Sequence, residues 1–229
     1  MQGFKSVLLW SGGIVSTTLL HFLRDQGIEP QVVHFGSDDR VKELAKALDV
    51  DVTIRTPIRN SLLHYVSIVV DECVAELNQP FVIYVGASML SWSKKIELSP
   101  QAITMMNALL QQVYALAWQP VVAPFLLLAE DVVLATADQY VDFEKALVCR
   151  NGFCKRCEEC SRFVDEITKV AFAYECKHCD KKVISINQRN VCPQCGEPLS
   201  LLNNVDQAMK RKVLVEGEHV YSGGNVWLL

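Results

Sequence analysis

This chain of 229 residues has no apolar run long enough to cross a membrane. Its most apolar stretch, Val113 to Ala129, is broken by Gln119-Pro120 and Pro124. It reads as a helix end, a turn and a buried strand. A secretory leader is not expected, since Lys5 and Trp10 flank only a very short apolar run. Neither charge sign dominates: 22 Lys and Arg face 26 Asp and Glu, for a net charge of −4. That balance argues against a general nucleic-acid coat. No repeat of solenoid length and no low-complexity tract is found. A cytoplasmic location without membrane or direct nucleic-acid contact is therefore expected. Half of the residues are apolar, enough for a full core. The length suits one α/β domain plus a small satellite.

Strand and helix signals alternate up to about residue 145. Val7–Trp10, Gln31–Phe35, Asp51–Thr56, Phe81–Val85 and Val121–Phe125 read as strands. Helical periods lie between them at Ser16–Gln26, Arg40–Leu48, Ser61–Leu77 and Gln101–Trp118. Asp38 or Asp39 is expected to cap the second helix, and Asn60 the third. The strands are nearly continuous apolar runs, as when both faces of a sheet are covered. A doubly wound parallel sheet follows, with its ligand site at the strand C-termini. Composition changes at Cys149, and from there to Cys195 the chain holds eight of its nine cysteines. We place the main domain at 1–173 and a cysteine-rich, β-rich satellite at 174–229. Strand-like pieces are expected at Lys212–Glu216 and His219–Leu228, the second with a turn or bulge at Gly223-Gly224.

The turn after the first strand reads Ser11-Gly12-Gly13-Ile14-Val15-Ser16-Thr17. Two glycines permit positive φ and close backbone approach. Ser11, Ser16 and Thr17 add hydroxyls, and the helix N-terminus adds free N–H groups. Together they suit phosphate or pyrophosphate. No Gly-Lys-Ser/Thr follows, so this is not a Walker loop. By itself the turn could also be only a tight strand-to-helix connection.

Nine cysteines without a leader point to metal rather than disulfides. Cys149, Cys154, Cys157 and Cys160 crowd four thiolates into one short span. They suit a closed zinc site, with an iron–sulfur cluster as the rival. Cys176, Cys179, Cys192 and Cys195 form two Cys-x2-Cys knuckles, the zinc-ribbon pattern, with Pro193 and Gly196 as turn residues. His178 lies inside a knuckle that already has four ligands, and it reads as a surface residue. Cys73 stands in an apolar helix and reads as core. Lys210-Arg211-Lys212 reads as a solvated face, or with Lys177, Lys181, Lys182 and Arg189 as a docking patch.

The turn resembles the pyrophosphate loop, Ser-Gly-Gly-x-Asp-Ser, of ATP pyrophosphatases. The larger pattern resembles 7-cyano-7-deazaguanine synthase, QueC, over roughly residues 5–167. The matches run in order: the loop; Phe35-Gly36 with Arg40 and Glu43-Leu44-Ala45; Pro57-Ile58-Arg59-Asn60; and the first cysteine set with Arg162 and Phe163. The resemblance implies the nucleotide-binding fold of that superfamily. It also implies adenylation of a 7-deazaguanine carboxylate by ATP with magnesium, followed by attack of an amine. Ser11, Gly12, Gly13, Ser16 and Thr17 would hold pyrophosphate, and Arg59 and Asn60 nucleotide or substrate. QueC-like proteins in bacterial antiviral systems extend this to a deazaguanine joined to another molecule. The added ribbon suits a protein acceptor, protein partner or second copy.

This chain departs from the family at several points. Val15 stands where the loop has Asp. The family's acidic and Arg-bearing segment is missing near Gly86–Ser93, and a Lys is missing after Pro124-Phe125-Leu126. Two readings therefore stand side by side: a ligase with altered chemistry, and a non-catalytic zinc-binding relative. A substitute cation or carboxylate in the cleft, from Lys94, Lys95 or Glu97, would discriminate them.

Overall fold

The apolar runs form strands, and the periodic segments between them form helices. The computed structural model describes residues 4–37, 39–76, 80–88, 95–149, 152–220 and 224–229. These divide into two compact units, Met1–Val133 and Leu134–Leu229. The division falls well before the expected 173/174 boundary, which lies inside a strand of the second unit. The first cysteine set therefore belongs with the ribbon rather than with the N-terminal sheet.

In the first unit, β1 (Lys5–Leu9), β2 (Gln31–Phe35), β3 (Val52–Arg55), β4 (Phe81–Val85) and β5 (Val121–Val122) form one sheet in the order β3-β2-β1-β4-β5. Every pairing is parallel. Leu8 of β1 sits between Val32 of β2 and Tyr84 of β4 and is fully buried. The connections carry α1 (Ile14–Asp25), α2 (Asp39–Ala47), α3 (Leu62–Glu76) and α4 (Pro100–Tyr114). The order reverses at β1, so a crevice opens between the C-terminal ends of β1 and β4. α3 buries Leu62, Val66, Val69, Val70 and Cys73, a 3.6-residue stripe facing Val7, Ile83 and Val85. Cys73 is core, as its apolar helix suggests.

Three local expectations need correction. β5 spans two residues only, because Pro124 cannot continue the ladder. Asn60 does not cap α3: Glu97 Oε2 accepts from Leu62 N at 3.0 Å, and Ser61 Oγ from His64 N at 3.3 Å. Asp39 is the first residue of α2 rather than its cap, and Asp38 lies outside the described residues.

The second unit holds an antiparallel sheet in the order β8-β6-β7-β10-β9. Its strands are β6 (Phe172–Cys176), β7 (Lys181–Ser185), β8 (Ser200–Leu201), β9 (Glu218–His219) and β10 (Val226–Leu228). α5 (Glu130–Tyr140) runs into this unit, followed by α6 (Glu158–Val170) and α7 (Gln207–Glu216). Lys212–Glu216 is thus helix, not strand. Asp206 caps α7 by accepting from Met209 N at 2.7 Å, and Val213 and Leu214 are buried together. The cap and the helix formers before the Val-Leu-Val run override its β propensity. In place of the expected single strand His219–Leu228 stand two antiparallel strands, β9 and β10, with Trp227 opposite His219. Gly223 lies outside the described residues. Asp138, fully buried, accepts from the backbone N–H and side-chain amide of Asn225 at 2.7 and 3.0 Å. Asn225 in turn accepts from Phe143 N and donates to Val141 O. This network pins the C-terminal strand to the end of α5.

Short β5 is held by more than its ladder. Buried Asn107 of α4 donates to Val121 O and accepts from Val121 N, both at 2.8 Å. Asn107→Leu leaves two buried backbone groups unpaired and is expected to cost about 2–4 kcal/mol, read by denaturant melting of the first unit. A cost below about 0.5 kcal/mol would show that water serves Val121 equally well.

Candidate functional site

The Ser-Gly-Gly turn falls at the C-terminal edge of β1. Gly12 has φ of 75°, a left-handed conformation that reverses the chain within one residue. Gly13 is the N-cap of α1 and supplies no side-chain cap. The loop is wound instead by its own hydroxyls. Ser16 Oγ lies 3.0 Å from Ser11 Oγ, donates to Gly13 O at 3.1 Å and accepts from Ser11 N at 3.3 Å. Gly86, just past β4, brings that strand against the start of α1. A Cβ there would lie 2.7 Å from Ser16 Cα.

A cleft of about 180 Å³ opens at this point. Ser11 and Ser16 line it from the loop, His34 and Phe35 from β2, Asn60 and Tyr65 from the α3 side, and Lys95 and Glu97 from the segment before α4. Of the residues expected to bind pyrophosphate or nucleotide, the fold thus brings Ser11, Ser16 and Asn60 together. Thr17 is placed elsewhere: it is buried, and its Oγ1 accepts from the Trp10 indole at 3.0 Å. Its hydroxyl braces the loop from behind. Arg59 is exposed and does not line the cleft, because the chain turns between it and Asn60. Gly12 and Gly13 act through backbone shape and are not among the lining residues.

His34 and Tyr65 escape a reading of the sequence, whereas Lys95 and Glu97, the candidate charged groups for the cleft, do line it. Lys95 is the only Lys or Arg, and Glu97 the only carboxylate, among the described residues of the cleft wall. Lys94 and the Met89–Ser93 stretch lie outside the described residues. Phe35 and Tyr65 stack at 4.5 Å between centroids and 5° between planes, a flat aromatic wall. Tyr65 donates to Asn60 Oδ1, and burial raises its hydroxyl pKa, with Glu97 adding to the shift. His34 Nδ1 lies 2.9 Å from Trp10 O. A carbonyl only accepts, so Nδ1 carries the proton and Nε2 presents a lone pair. Nε2 is buried without a partner among the described residues, and a Cβ on Gly36 would approach it to 2.7 Å. The one sequence cue for His34 is a polar residue interrupting the apolar run of β2.

The two cysteine sets are built on different local structures. In the first, Cys149 and Gly152 exchange backbone hydrogen bonds at 2.9 and 3.0 Å, Gly152 with φ of 75°. Cys157 is the N-cap of α6, accepting from Cys160 N, so Cys160 falls in the first helical turn. In the second, Cys176 ends β6 and the other knuckle closes through Gly196 N to Cys192 O at 2.9 Å. Sulfur separations are 3.7 and 3.8 Å in the first set and 3.5 and 3.7 Å in the second. Four thiolates about 2.3 Å from one tetrahedral ion stand roughly 3.8 Å apart, whereas a disulfide needs about 2.05 Å. A multi-iron cluster is wider than one ion and would hold its thiolates farther apart. Within each set, all sulfurs lie inside 4.8 Å of one another, and each set could hold a metal ion. Backbone N–H groups of Arg156 and Cys157 lower the Cys154 thiol pKa to about 6. The N–H of Cys179 leads the same effect on Cys176, also to about 6. Burial pushes Cys160 far up and Cys179 up to about 12. Four sulfurs this close resist joint ionisation until a cation sits among them.

Of the expected basic docking patch, Lys210, Arg211 and Arg189 are committed inside the second unit, Arg189 Nε donating to Ser185 Oγ at 3.2 Å. Lys210 Nζ donates to Thr168 O at 3.1 Å and Ala171 O at 2.6 Å at the end of α6, and burial lowers its pKa. Arg211 pairs with Asp165 and reaches Ser161 Oγ.

Among the described residues no helix is long and apolar enough to cross a membrane. No protein-family model and no curated protein matches the chain. One solved structure with some likeness is a predicted subunit of tRNA methyltransferase from Methanocaldococcus jannaschii. It is 14% identical with a TM-score of 0.43, over 61% of this chain and 76% of that one. A likeness of that degree defines neither fold nor function, which rest on the geometry above.

Metal analysis of the purified chain is expected to give about two tetrahedrally bound ions per molecule. Cys192→Ser should remove one and loosen the antiparallel sheet, leaving the parallel sheet's melting unchanged because its core is separate. Iron with sulfide, or a Cys176–Cys179 disulfide, would overturn this.

Proposed function

We propose that the cleft takes the polyphosphate of ATP and that the chain is a QueC-like, ATP-dependent ligase. It would adenylate a 7-deazaguanine carboxylate for attack by an amine, with a protein as the fitting acceptor. The observation that carries this reading is the uncapped N-terminus of α1, flanked by Ser11 and Ser16, at the crevice where the strand order reverses. Free N–H groups and the helix dipole favour an anion there. Lys95 and Glu97 answer the need for charged groups that Val15 leaves open.

The chemistry needs little from the chain beyond placement and charge. A carboxylate oxygen attacks the α-phosphorus, and pyrophosphate leaves. The amine then attacks the acyl carbon, AMP leaves, and one proton is released. Ser11 and Ser16 hydroxyls and the α1 N–H groups would hold the departing pyrophosphate. Phe35 and Tyr65 would stack a planar ring, with Asn60 at its edge. Magnesium bound to the nucleotide would neutralise phosphate charge. Of the cleft residues only Glu97 offers it a carboxylate oxygen, the other being committed to Leu62 N. Zinc in the two cysteine sets would be structural, since four thiolates leave no open position. The ribbon would present its surface to a protein partner or second copy.

A second reading, a zinc-binding relative without catalysis, is favoured by Val15 and by the Lys missing after Pro124-Phe125-Leu126. ATP/pyrophosphate exchange with 7-carboxy-7-deazaguanine separates the two. Measurable exchange by the native chain, raised about tenfold or more in Val15→Asp, is the expected result. Exchange in neither protein, with both folded, would leave the non-catalytic reading.

A further inference from the structure

We infer that Lys95 is the cation of the cleft, facing the phosphate chain held at the start of α1; this rests on the nucleotide reading above. The Ser-Gly-Gly loop brings hydroxyls and N–H groups but no formal charge. Val15, in the first turn of α1, adds none. A polyphosphate seated there carries several negative charges, and partial positive charge at one helix end offsets only about half of one. The cleft wall contains a single ammonium among the described residues, that of Lys95. Arg55 and Arg59 are not in the wall, and Arg55 is already paired with Glu72 at 3.0 Å. The Lys95 side chain has no hydrogen bond or ion pair with a described residue, its backbone carbonyl alone accepting from Leu98 N at 2.9 Å. Glu97, two residues on in the same wall, spends one oxygen on Leu62 N and forms no ion pair with Lys95. Lys95 is exposed, lines the same cleft as Ser11 and Ser16, and has an uncommitted side chain, which is the state a ligand-neutralising group needs. Lys95 acts as a mobile point charge on a flexible stem, so its role is neutralisation more than geometry.

The test is calorimetry of inorganic pyrophosphate, ATP and adenosine with the full native chain, Lys95→Met and Lys95→Arg. Lys95→Met is expected to weaken pyrophosphate and ATP about tenfold and to leave adenosine unchanged. Lys95→Arg should stay within about twofold of the native chain, since it keeps the charge. The gap between native and Lys95→Met should shrink at about 1 M salt, where exposed charges are screened. Melting temperatures should agree, because the side chain is exposed. Equal pyrophosphate binding by native and Lys95→Met overturns the assignment while the nucleotide reading stands. Equal loss of adenosine binding overturns it too, since the residue would then shape the cleft. No binding of ATP or pyrophosphate by the native chain overturns both.

Discussion

Everything at the cleft depends on one close approach, that of Gly86 to the first turn of α1. Strand order alone opens a crevice between β1 and β4. It does not decide what faces that crevice. With no side chain at position 86, β4 reaches the backbone of Ser16, and the helix start is held at the mouth. The loop's hydroxyls then bond to one another and to the loop backbone, not to the helix N–H groups. A helix that begins on glycine with no side-chain cap gives up stability of a few tenths of a kcal/mol to about 1 kcal/mol against a good cap. Those unused donors are the chemical resource of the first unit.

The second unit is built on a different principle. Its sheet is small and its strands are short, two of them only two residues long. Two four-sulfur cages and the buried Asp138–Asn225 network tie strands to helices where apolar area is limited. Placing Cys157 at the N-cap and Cys160 in the first turn means that a metal would join the loop and α6 at once. The same helix end, with its partial positive charge, would offset the excess negative charge of a tetrathiolate. The basic residues of α7 close the other end of α6 through Lys210, so that helix is fixed at both termini.

Much of the first unit was legible in the sequence because its signals are local. Apolar runs, helical periods and a Gly-Gly turn give the parallel sheet and the position of the loop. Ser11, Ser16 and Asn60 meet as expected because they lie at strand ends and helix starts, which topology brings to one edge. Thr17 could not be separated from Ser16 without knowing that Trp10 turns inward. Lys95 and Glu97 carry no motif, since a segment between two elements reaches the cleft only through tertiary packing. Likewise His34 looks like an imperfect strand residue until its Nδ1 bond and the bare Gly36 are seen together. In the tail, the Lys212–Glu216 run has strand chemistry, yet its cap and buried face make it helix. The division between the compact units falls ahead of the change in composition at the cysteines, where the sequence carries no local signal for it.

The bond from Trp10 to Thr17 has an optical meaning as well. Trp10 is buried to within 1% of full enclosure, and its indole N–H points at the second turn-side hydroxyl of the loop. An indole excited state is sensitive to the local electric field along its N–H direction. A charge held at that helix end would shift the field on Trp10, and with it the Trp10 share of the emission from the chain's four tryptophans. The residue that stiffens the turn would thus report on a charge beside it, read against the other three tryptophans as background.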